Sequence, residues 1–401
     1  MVSTTTAYSQ SRYRVNVNEG LDGVVRVSTG GQYGTGALLW GGQAVLTAAH
    51  LFSGALWSGR VHFETADGAQ TLSTSKVLLH PGYVGDGNHD LALVWLSGSA
   101  PVGADRYGLY RETALSGQRF DLVGYGRPGT GESGVQEPMP ETYMRLKAQN
   151  TFDAEGVQLK SAMGASIKWS PVPGSQWLAD FDNGLEAHDA LGQLMGRKHL
   201  GLGLDEGIVS QGDSGGPALV GGQVAGVTSF IASLSLGVAQ PDVDQVSNSS
   251  FGEVAAWQSV GYHQQWIDQS LQASHVGAPS RPEDVRKQVA EGGEGTAVVF
   301  FLLQFTGVRA AADMWLSVDY ATRDGTAKAG EDFLATRGQL VLYPNETQAV
   351  IPVEIIGDRV AEPDEVFYLD VFNPVGGGFG PGVTVLTGMR TILNDDAGLW
   401  G

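Results

Sequence analysis

The sequence predicts an all-β protein of two domains. Glycine accounts for 58 of the 401 residues, which favours many turns over long helices. Short apolar runs rich in β-branched residues recur between turn signals in both halves of the chain. A chain of this length also exceeds what one ordinary core supports. We therefore expect two successive β-rich domains.

The first domain is expected to span residues 20–274 and to fold as a barrel or sandwich of short antiparallel strands. One helix is predicted near its end, with Ser259 as N-cap and with Tyr262, Trp266 and Leu271 on one face. The predicted strands are GVVRVST, QAVLTAA, VHFET, SKVLLHP, LALVWL, FDLVGYG and QVAGVTSF.

Residues 275–286 are small, polar and proline-containing, which predicts a linker. Residues 287–397 then hold seven or so strands, as expected of an immunoglobulin-like β-sandwich. The runs that predict them are TAVVFFLLQF, MWLSVDYAT, GQLVLYP, AVIPVEII, VFYLDVF and TVLTGMRTIL.

Composition excludes several classes of function. The net charge of −19 disfavours nucleic acid and anionic membranes as partners, while it suits Ca²⁺. The chain has no cysteine, so it has no disulfide scaffold, thiolate nucleophile or zinc–thiolate site. We find no apolar run long enough to span a membrane. Residues 1–19 lack an apolar signal core, so either the protein stays inside the cell or a signal has been removed.

The stretch QGDSGGPAL at 211–219 places the hydroxyl of Ser214 between an aspartate and two glycines. A serine hydroxyl is a weak nucleophile at neutral pH. It needs an imidazole to take its proton and a carboxylate to orient that imidazole. His50 ends the run AVLTAAH, and Asp90 precedes the apolar run LALVWL, so both sit at predicted strand ends.

These three motifs, in this order, resemble those of the trypsin/chymotrypsin-like serine peptidases. The T-A-A-H, D-L-A-L and G-D-S-G-G-P matches lie at 47–50, 90–93 and 212–217, and the resemblance covers roughly residues 20–270. It implies a double six-stranded antiparallel β-barrel with the site in its cleft. Ser214 would be the nucleophile, His50 the general base and Asp90 its orienting acid, with no cofactor for catalysis.

The same resemblance assigns further roles in the Ser214 loop. The backbone N–H groups of Gly212 and Ser214 would form the oxyanion hole. Asp213 would pair with an N-terminal ammonium released by cleavage. We expect that amine near Val15, after a cut at Arg14, which would make residues 1–19 a processed segment.

Specificity also follows from the resemblance. The positions that would form the primary pocket carry no carboxylate for a basic side chain, so we expect a preference for small or medium apolar side chains. An alternative stays open, because a loop shift could bring Asp205 or Glu206 into the pocket. The expected pocket residues are Ile208, Ser229, Phe230, Ile231 and Ala255.

A long insertion before the Ser214 loop carries four aspartates spaced like a carboxylate cluster: Asp153, Asp180, Asp182 and Asp189. Carboxylate oxygens are the ligands that Ca²⁺ prefers. Two interpretations stay open, a structural Ca²⁺ site that replaces the family's missing disulfides or a solvated acidic surface.

The second domain resembles a Calx-beta domain through the runs ATRDGTAKAGEDF and DRVAEPDEVF. That family often binds Ca²⁺ in acidic loops at one end of its sandwich. Arg359 departs from the aspartate-rich pattern of the calcium-binding members, so we expect one weakened site or none. The matching positions are Glu291, Asp324, Asp358, Glu362, Asp395 and Asp396.

Together these features predict a secreted serine endopeptidase that acts on protein or peptide substrates; the sequence does not indicate an oligomeric state. One alternative is an inactive peptidase fold that serves with the Calx-beta domain as a binding protein. Another is an esterase that uses the same three residues.

Overall fold

The computed structural model describes residues 2–52, 58–135 and 143–396. The chain divides into two compact units. Unit 1 comprises Met1–Leu39, Ala44–Gly98 and Gly103–Gln264, and unit 2 comprises Trp40–Gln43, Ser99–Val102 and Gln265–Gly401. None of the described helices has the length and apolar character needed to cross a membrane.

Unit 1 begins with a closed six-stranded barrel in the order β2-β3-β4-β7-β6-β5. Strands β4 and β7 are buried along their whole length, which explains why Thr47 is their one residue that is not apolar. The first seven strands are β1 (Ser3–Thr4), β2 (Val24–Thr29), β3 (Gln32–Leu38), β4 (Ala44–Thr47), β5 (Arg60–Thr65), β6 (Gly68–Leu79) and β7 (Ala92–Leu96).

The rest of unit 1 is built on a seven-stranded sheet, β11-β8-β15-β16-β17-β13-β12. Its core includes Phe120 stacked on Phe152 at 4.1 Å, with Trp257 edge-on to Phe120 at 5.0 Å. Its elements are β8 (Arg119–Gly124), β9 (Gly129–Thr130), β10 (Gly134–Val135), β11 (Leu146–Thr151), β12 (Ala154–Glu155), α1 (Gly156–Met163), β13 (Gln176–Asp180), α2 (Ala190–Met195), β14 (Gly207–Ile208), β15 (Pro217–Val220), β16 (Gln223–Ala232) and β17 (Val254–Ser259).

The mostly-β class is confirmed, with one difference of detail. Only the first barrel closes among the described residues, and the second sheet remains open. The inserted strand β13 pairs with β17, and β12 adds to β13, so the insertion occupies that edge of the sheet. Helix α3 (Val260–Gln272) follows β17, and the N–H of Tyr262 donates to the Ser259 hydroxyl at 3.3 Å, as the N-cap prediction requires. Tyr262 itself is exposed, whereas His263 and Ile267 are buried.

A small sheet, β10-β9-β1-β14, incorporates the beginning of the chain. Ser3 pairs with Ile208 on one side and with Gly129 on the other. Val2 and Tyr13 are fully buried. The beginning of the chain therefore contributes Val2 and Tyr13 to the core of unit 1, although we expected a separate segment.

Unit 2 contains two sheets, β18-β24-β23-β20-β21 and β19-β22. Their facing apolar residues form one core, in which Phe333 stacks on Phe367 at 4.6 Å. This arrangement confirms the β-sandwich. Its strands are β18 (Gln288–Ala290), β19 (Thr296–Gln304), β20 (Leu316–Asp324), β21 (Arg337–Leu342), β22 (Gln348–Ile356), β23 (Glu365–Val375) and β24 (Val385–Leu393).

Candidate active site

Strand pairing brings His50 and Asp90 together. Strand β4 pairs antiparallel with β7, with Thr47 opposite Ala92. His50 follows β4 in the 3-10 turn Ala49–Phe52, and Asp90 immediately precedes β7. Because an antiparallel pair places the end of one strand beside the start of the other, both side chains lie at one edge of the barrel.

Asp90 accepts three hydrogen bonds. Its Oδ2 lies 2.7 Å from His50 Nδ1 and 2.6 Å from the donating Ser229 hydroxyl, and its Oδ1 accepts from the His50 backbone N–H at 2.8 Å. An ionised carboxylate only accepts, so Nδ1 of His50 carries the proton, and Nε2 is the nitrogen that can act as a base. Asp90 is buried, whereas one third of the His50 side chain is exposed. The carboxylate therefore fixes both the tautomer and the orientation of a ring that substrate can reach.

The Ser214 loop is held against the barrel strand that leads to His50. The carbonyl of Ser214 accepts from the Thr35 N–H at 2.8 Å. Gly215 has φ +82°, and a Cβ there would overlap Thr47 Oγ1 and lie 2.7 Å from the Ala48 nitrogen. Only glycine permits this approach, which places the nucleophile loop beside the residues just before His50.

The N–H groups of Gly212 and Ser214 donate to no other group within the described ranges. Gly212 has φ +99°, and its carbonyl accepts from the Thr35 hydroxyl at 3.0 Å. Two amides without an acceptor on this loop can donate to an oxygen of a bound molecule.

Asp213 is buried beneath this loop. Its Oδ1 accepts from the Gly126 N–H at 2.7 Å, and its Oδ2 accepts from the Ser210 N–H at 2.9 Å. Burial raises the pKa of Asp213 above its usual range. The backbone N–H of Val15 instead donates to the Arg145 carbonyl, so the segment that we expected to supply the amine is engaged elsewhere.

A cavity of about 400 Å³ opens beside Ser214. Ser229, Phe230 and Ile231 line it, as the resemblance implies. Ile208 and Ala255 do not, because both are fully buried in the core of the seven-stranded sheet. Its other lining residues are Arg127, Val135, Val209, Ser210, Gln211, Thr228, Ser247, Asn248 and Ser249.

The two upstream acids do not enter this cavity. Asp205 is exposed and pairs with Arg12 at 3.1 Å. Glu206 is fully buried, and its Oε1 accepts from the Asp182 N–H at 2.8 Å. The alternative that one of them selects basic side chains therefore has no support in this arrangement.

The insertion contributes residues that sequence reasoning missed. Trp169 packs edge-on to Phe230 at 5.3 Å and extends the apolar surface next to the cavity. Asn88, two residues before Asp90, donates from Nδ2 to the Ser170 carbonyl at 2.9 Å and accepts at Oδ1 from the Val172 N–H at 3.0 Å. No local pattern could reveal these contacts, because they join segments about 80 residues apart.

Three histidines form a group that begins next to Asp90. His89 precedes Asp90, has φ +52°, and its Nδ1 lies 3.0 Å from His263 Nε2. His80 stacks on His89 at 4.7 Å. Burial lowers the pKa of His263 to about 3 and that of His80 to about 4, so both are neutral near pH 7.

The insertion brings its four predicted aspartates together and adds Glu206; we call this set of five residues the insertion cluster. Single carboxylate oxygens of Asp180, Asp182 and Asp189 lie within 4.8 Å of one another. Burial raises the pKa of Asp153, Asp180 and Asp182, and it raises the pKa of Glu206 to about 8. The interpretation as a solvated surface is wrong, because Asp180, Asp182 and Glu206 are at most 1% exposed.

A second acidic group lies in unit 2. Burial, with Asp358, Glu362, Asp396 and Asp332 nearby, raises the pKa of Glu291 to about 7. Carboxylate oxygens of Asp332, Glu362 and Glu365 lie within 4.8 Å of one another, and of these three only Glu362 was expected. The remaining expected residues have other contacts: Asp324 lies 3.9 Å from the Lys328 ammonium, and Asp395 accepts from the Gly292 N–H. Arg359 lies 3.8 Å from Glu294.

Comparison with known proteins finds two families. The Trypsin family model matches residues 12–163, which contain His50 and Asp90 but not Ser214. The Calx-beta domain model matches residues 285–397. The chain thus consists of a trypsin-like domain followed by a C-terminal Calx-beta domain.

Individual proteins show similarity over parts of the chain. Sodium/calcium exchanger 2 of Rattus norvegicus is 41% identical over 92 residues, and sodium/calcium exchanger Calx of Drosophila melanogaster is 37% identical over 86 residues. These matches cover 20% and 21% of this chain but only 10% and 9% of those proteins. A solved structure of neuropsin, a serine protease expressed in the limbic system of mouse brain, is 18% identical, with a TM-score of 0.47. The alignment covers 65% of this chain and 98% of that chain.

Proposed function

We propose that this chain, with its trypsin-like domain and C-terminal Calx-beta domain, is a serine endopeptidase. The observation that carries the proposal is the buried Asp90 carboxylate, which bonds to His50 Nδ1 at 2.7 Å and thereby makes Nε2 the nitrogen that can act as a base. Acyl transfer also needs a base and a nucleophile. The partly exposed His50 ring would supply the base, and Ser214 would supply the nucleophile.

In the proposed mechanism, Ser214 Oγ attacks the scissile carbonyl carbon while His50 Nε2 takes its proton. The C–N bond then breaks as His50 returns that proton to the leaving amine. Water hydrolyses the acyl-enzyme with His50 again as the base. Asp90 remains ionised throughout and stabilises the imidazolium.

The amides of Gly212 and Ser214 are proposed to hold the oxyanion of the tetrahedral intermediate. One such donor is typically worth about 3–4 kcal/mol of transition-state stabilisation. Their lack of any acceptor within the described chain supports this role, because no internal hydrogen bond has to break first.

The cavity beside Ser214 supports a preference for small or medium apolar side chains before the cut. Val209 and Ile231 contribute apolar surface, and none of the described residues that line the cavity carries a carboxylate. Burying one aliphatic side chain there would contribute about 1.5–3 kcal/mol.

We further propose that Ca²⁺ is a structural ligand of the Calx-beta domain, held by Glu291, Asp332, Glu362, Glu365 and Asp396. The site fits a hard cation, because Glu291 is buried among carboxylates and Oδ2 of Asp396 is buried without a hydrogen-bond partner. Extracellular Ca²⁺ fills even weak sites of this kind, and we propose that the protein acts outside the cell.

Labelling with a fluorophosphonate tests the peptidase proposal. We expect the wild-type chain to be labelled and to cleave peptide libraries, and we expect Ser214→Ala to do neither. Ser247→Ala, which alters another cavity hydroxyl, is the matched control and should keep its labelling. Absence of labelling in the wild type would favour the binding-protein alternative. Labelling with turnover of esters but not peptides would favour an esterase.

A further inference from the structure

The insertion cluster concentrates negative charge in the interior of unit 1. One basic side chain among the described residues, the imidazole of His199, lies within salt-bridge distance of these five carboxyl groups. The Nδ1 of His199 lies 3.5 Å from Asp153 Oδ1 and 3.8 Å from Asp182 Oδ2. Lys198 pairs with the exposed Glu186 instead. Most of these carboxyl groups therefore have no positively charged partner within salt-bridge distance among the described residues.

Several of these oxygens also lack hydrogen-bond donors. Asp182 is 1% exposed, and neither of its carboxylate oxygens has a hydrogen-bond partner. Oδ1 of Asp180 and Oδ2 of Asp153 are buried and without partners as well. A buried polar atom that bonds to nothing costs free energy, and an ionised one costs more.

The backbone holds the other oxygens of the cluster in place. Asp180 Oδ2 accepts from the Leu191 N–H at 2.7 Å, and Asp189 Oδ1 accepts from the Gly192 N–H at 2.7 Å, both at the start of α2. Glu206 accepts from the N–H groups of Asp182 and Leu202. Asp180 and Asp189 are thus each oriented through one oxygen and Glu206 through both, while oxygens of Asp153, Asp180 and Asp182 remain without a hydrogen-bond partner.

We infer that the insertion cluster is a Ca²⁺ site, with Asp180, Asp182 and Asp189 as its core ligands and with the partnerless oxygen of Asp153 as a further ligand. Ca²⁺ binds six to eight oxygen ligands, including carboxylates in one- or two-oxygen contact, in flexible geometries. A bound Ca²⁺ would supply positive charge, and it would coordinate the carboxylate oxygens that have no hydrogen-bond partner. Mg²⁺ fits less well, because it demands a near-ideal octahedron and keeps several waters.

The site is connected to the catalytic loop through a short stretch of chain. Glu206 directly precedes β14, whose Ile208 pairs with Ser3. Val209 and Ser210 come next and line the cavity, and Ser210 bonds to Asp213 beside the nucleophile. A bound ion would therefore fix the start of the segment that carries Ser214. This part of the inference rests on the proposed peptidase function, whereas Ca²⁺ binding itself does not.

Calorimetric titration of the full chain tests the binding. The protein carries Ser214→Ala so that autolysis cannot interfere, and it is stripped with EDTA before CaCl₂ is added. We compare it with Asp182→Asn, which preserves shape while removing a charge, and with Asp332→Asn, the matched change in the Calx-beta domain. We expect Asp182→Asn to lose one Ca²⁺ per chain, or to bind it at least roughly 10-fold more weakly, while Asp332→Asn keeps that site.

Thermal unfolding makes the test independent of how well each variant folds. Ca²⁺ should raise the Tm of the unfolding step of unit 1, and Asp182→Asn should abolish that rise while unfolding no earlier than the parent in EDTA. Asp153→Asn provides a second variant if Asp182→Asn does not fold. Equal Ca²⁺ stoichiometry and equal Tm shifts in the parent and both cluster variants would overturn the site, as would an equal response to MgCl₂.

Activity of the chain with Ser214 intact tests the connection to the loop. Peptide cleavage should fall on Ca²⁺ removal, return with Ca²⁺, and no longer respond in Asp182→Asn. If Ca²⁺ binds but cleavage does not change, the connection is wrong and the site stands. If Ca²⁺ binds but no cleavage or labelling occurs under any condition, the peptidase proposal fails and the site stands.

Discussion

At the scale of single residues, the pairing of β4 with β7 positions the side chains of the candidate site. His50 and Asp90 lie at the ends of adjacent strands, as their sequence contexts indicate. The expected pocket base, Ile208, is instead a core residue, and Val209 lines the cavity. Val209 follows the end of β14 and belongs to the same core as Ile208, so an alignment error of one position is enough to select the residue that does not reach the cavity.

The size of the cavity can be changed at Ile231. Replacing Ile231 with Gly removes a branched side chain from the cavity wall, so larger side chains should enter. We compare two peptides that carry either Phe or Val before the cut. The ratio of their kcat/KM values, Phe over Val, should rise about 10-fold, because the substitution makes room for one or more methylenes. Steady-state kinetics on matched peptides measures this ratio. The control is Val135→Ala, which changes another residue that lines the cavity. An unchanged ratio in Ile231→Gly would contradict the assignment of Ile231 to the wall of the specificity pocket.

At the scale of elements, six of the seven sandwich strands coincide with apolar runs in the sequence, and α3 begins after its expected cap. The short β18 was not expected, because three residues carry too little periodicity to identify a strand. Strand β1 was also missed, since its two residues pair only with distant segments. Such strands exist through tertiary pairing, which local patterns do not encode.

The N-terminal elements predict the effect of removing residues 1–14. The family resemblance would have a cut after Arg14 activate the protein. The structure instead has Val2 and Tyr13 in the core, so their loss should destabilise unit 1 by at least about 3 kcal/mol. We expect a chain starting at Val15 to unfold at lower urea and to lose activity. Arg14→Gln blocks that cut but keeps β1, so it should remain active. A gain in activity when residues 1–14 are removed would contradict the prediction that unit 1 needs them.

At the scale of the whole molecule, composition and length were sufficient to predict two β-rich domains. They could not predict which acids would become buried. The insertion cluster joins segments between residues 153 and 206, and its burial depends on how β13, α2 and β14 pack. The sequence showed the aspartates, and only the assembled fold shows that they share an interior.

Acid should weaken the folded protein through its buried histidines. Burial lowers the pKa of His263 to about 3, against about 6.5 for an unfolded histidine. Below pH 6.5 the unfolded chain therefore binds a proton that the folded one excludes, and stability falls with pH. His263 alone should cost about 2 kcal/mol between pH 7 and pH 5.

Urea unfolding at the two pH values measures this loss. We expect His263→Gln to show a smaller decrease than the wild type, because the variant has no proton to exclude. His62→Gln, which replaces a surface histidine bonded to Thr71, serves as the control and should match the wild type. If His263→Gln and the wild type lose the same stability between the two pH values, His263 is not the source of the loss.

The hydrogen bonds from Asn88 to the turn at 170–172 have a practical consequence for protein engineering. The insertion supports the loop that carries Asp90, and through Glu206 it also adjoins the segment that leads to Ser214. Trimming it would loosen both the loop that carries Asp90 and the segment that leads to Ser214. A more compact scaffold that keeps His50, Asp90 and Ser214 would have to retain that turn.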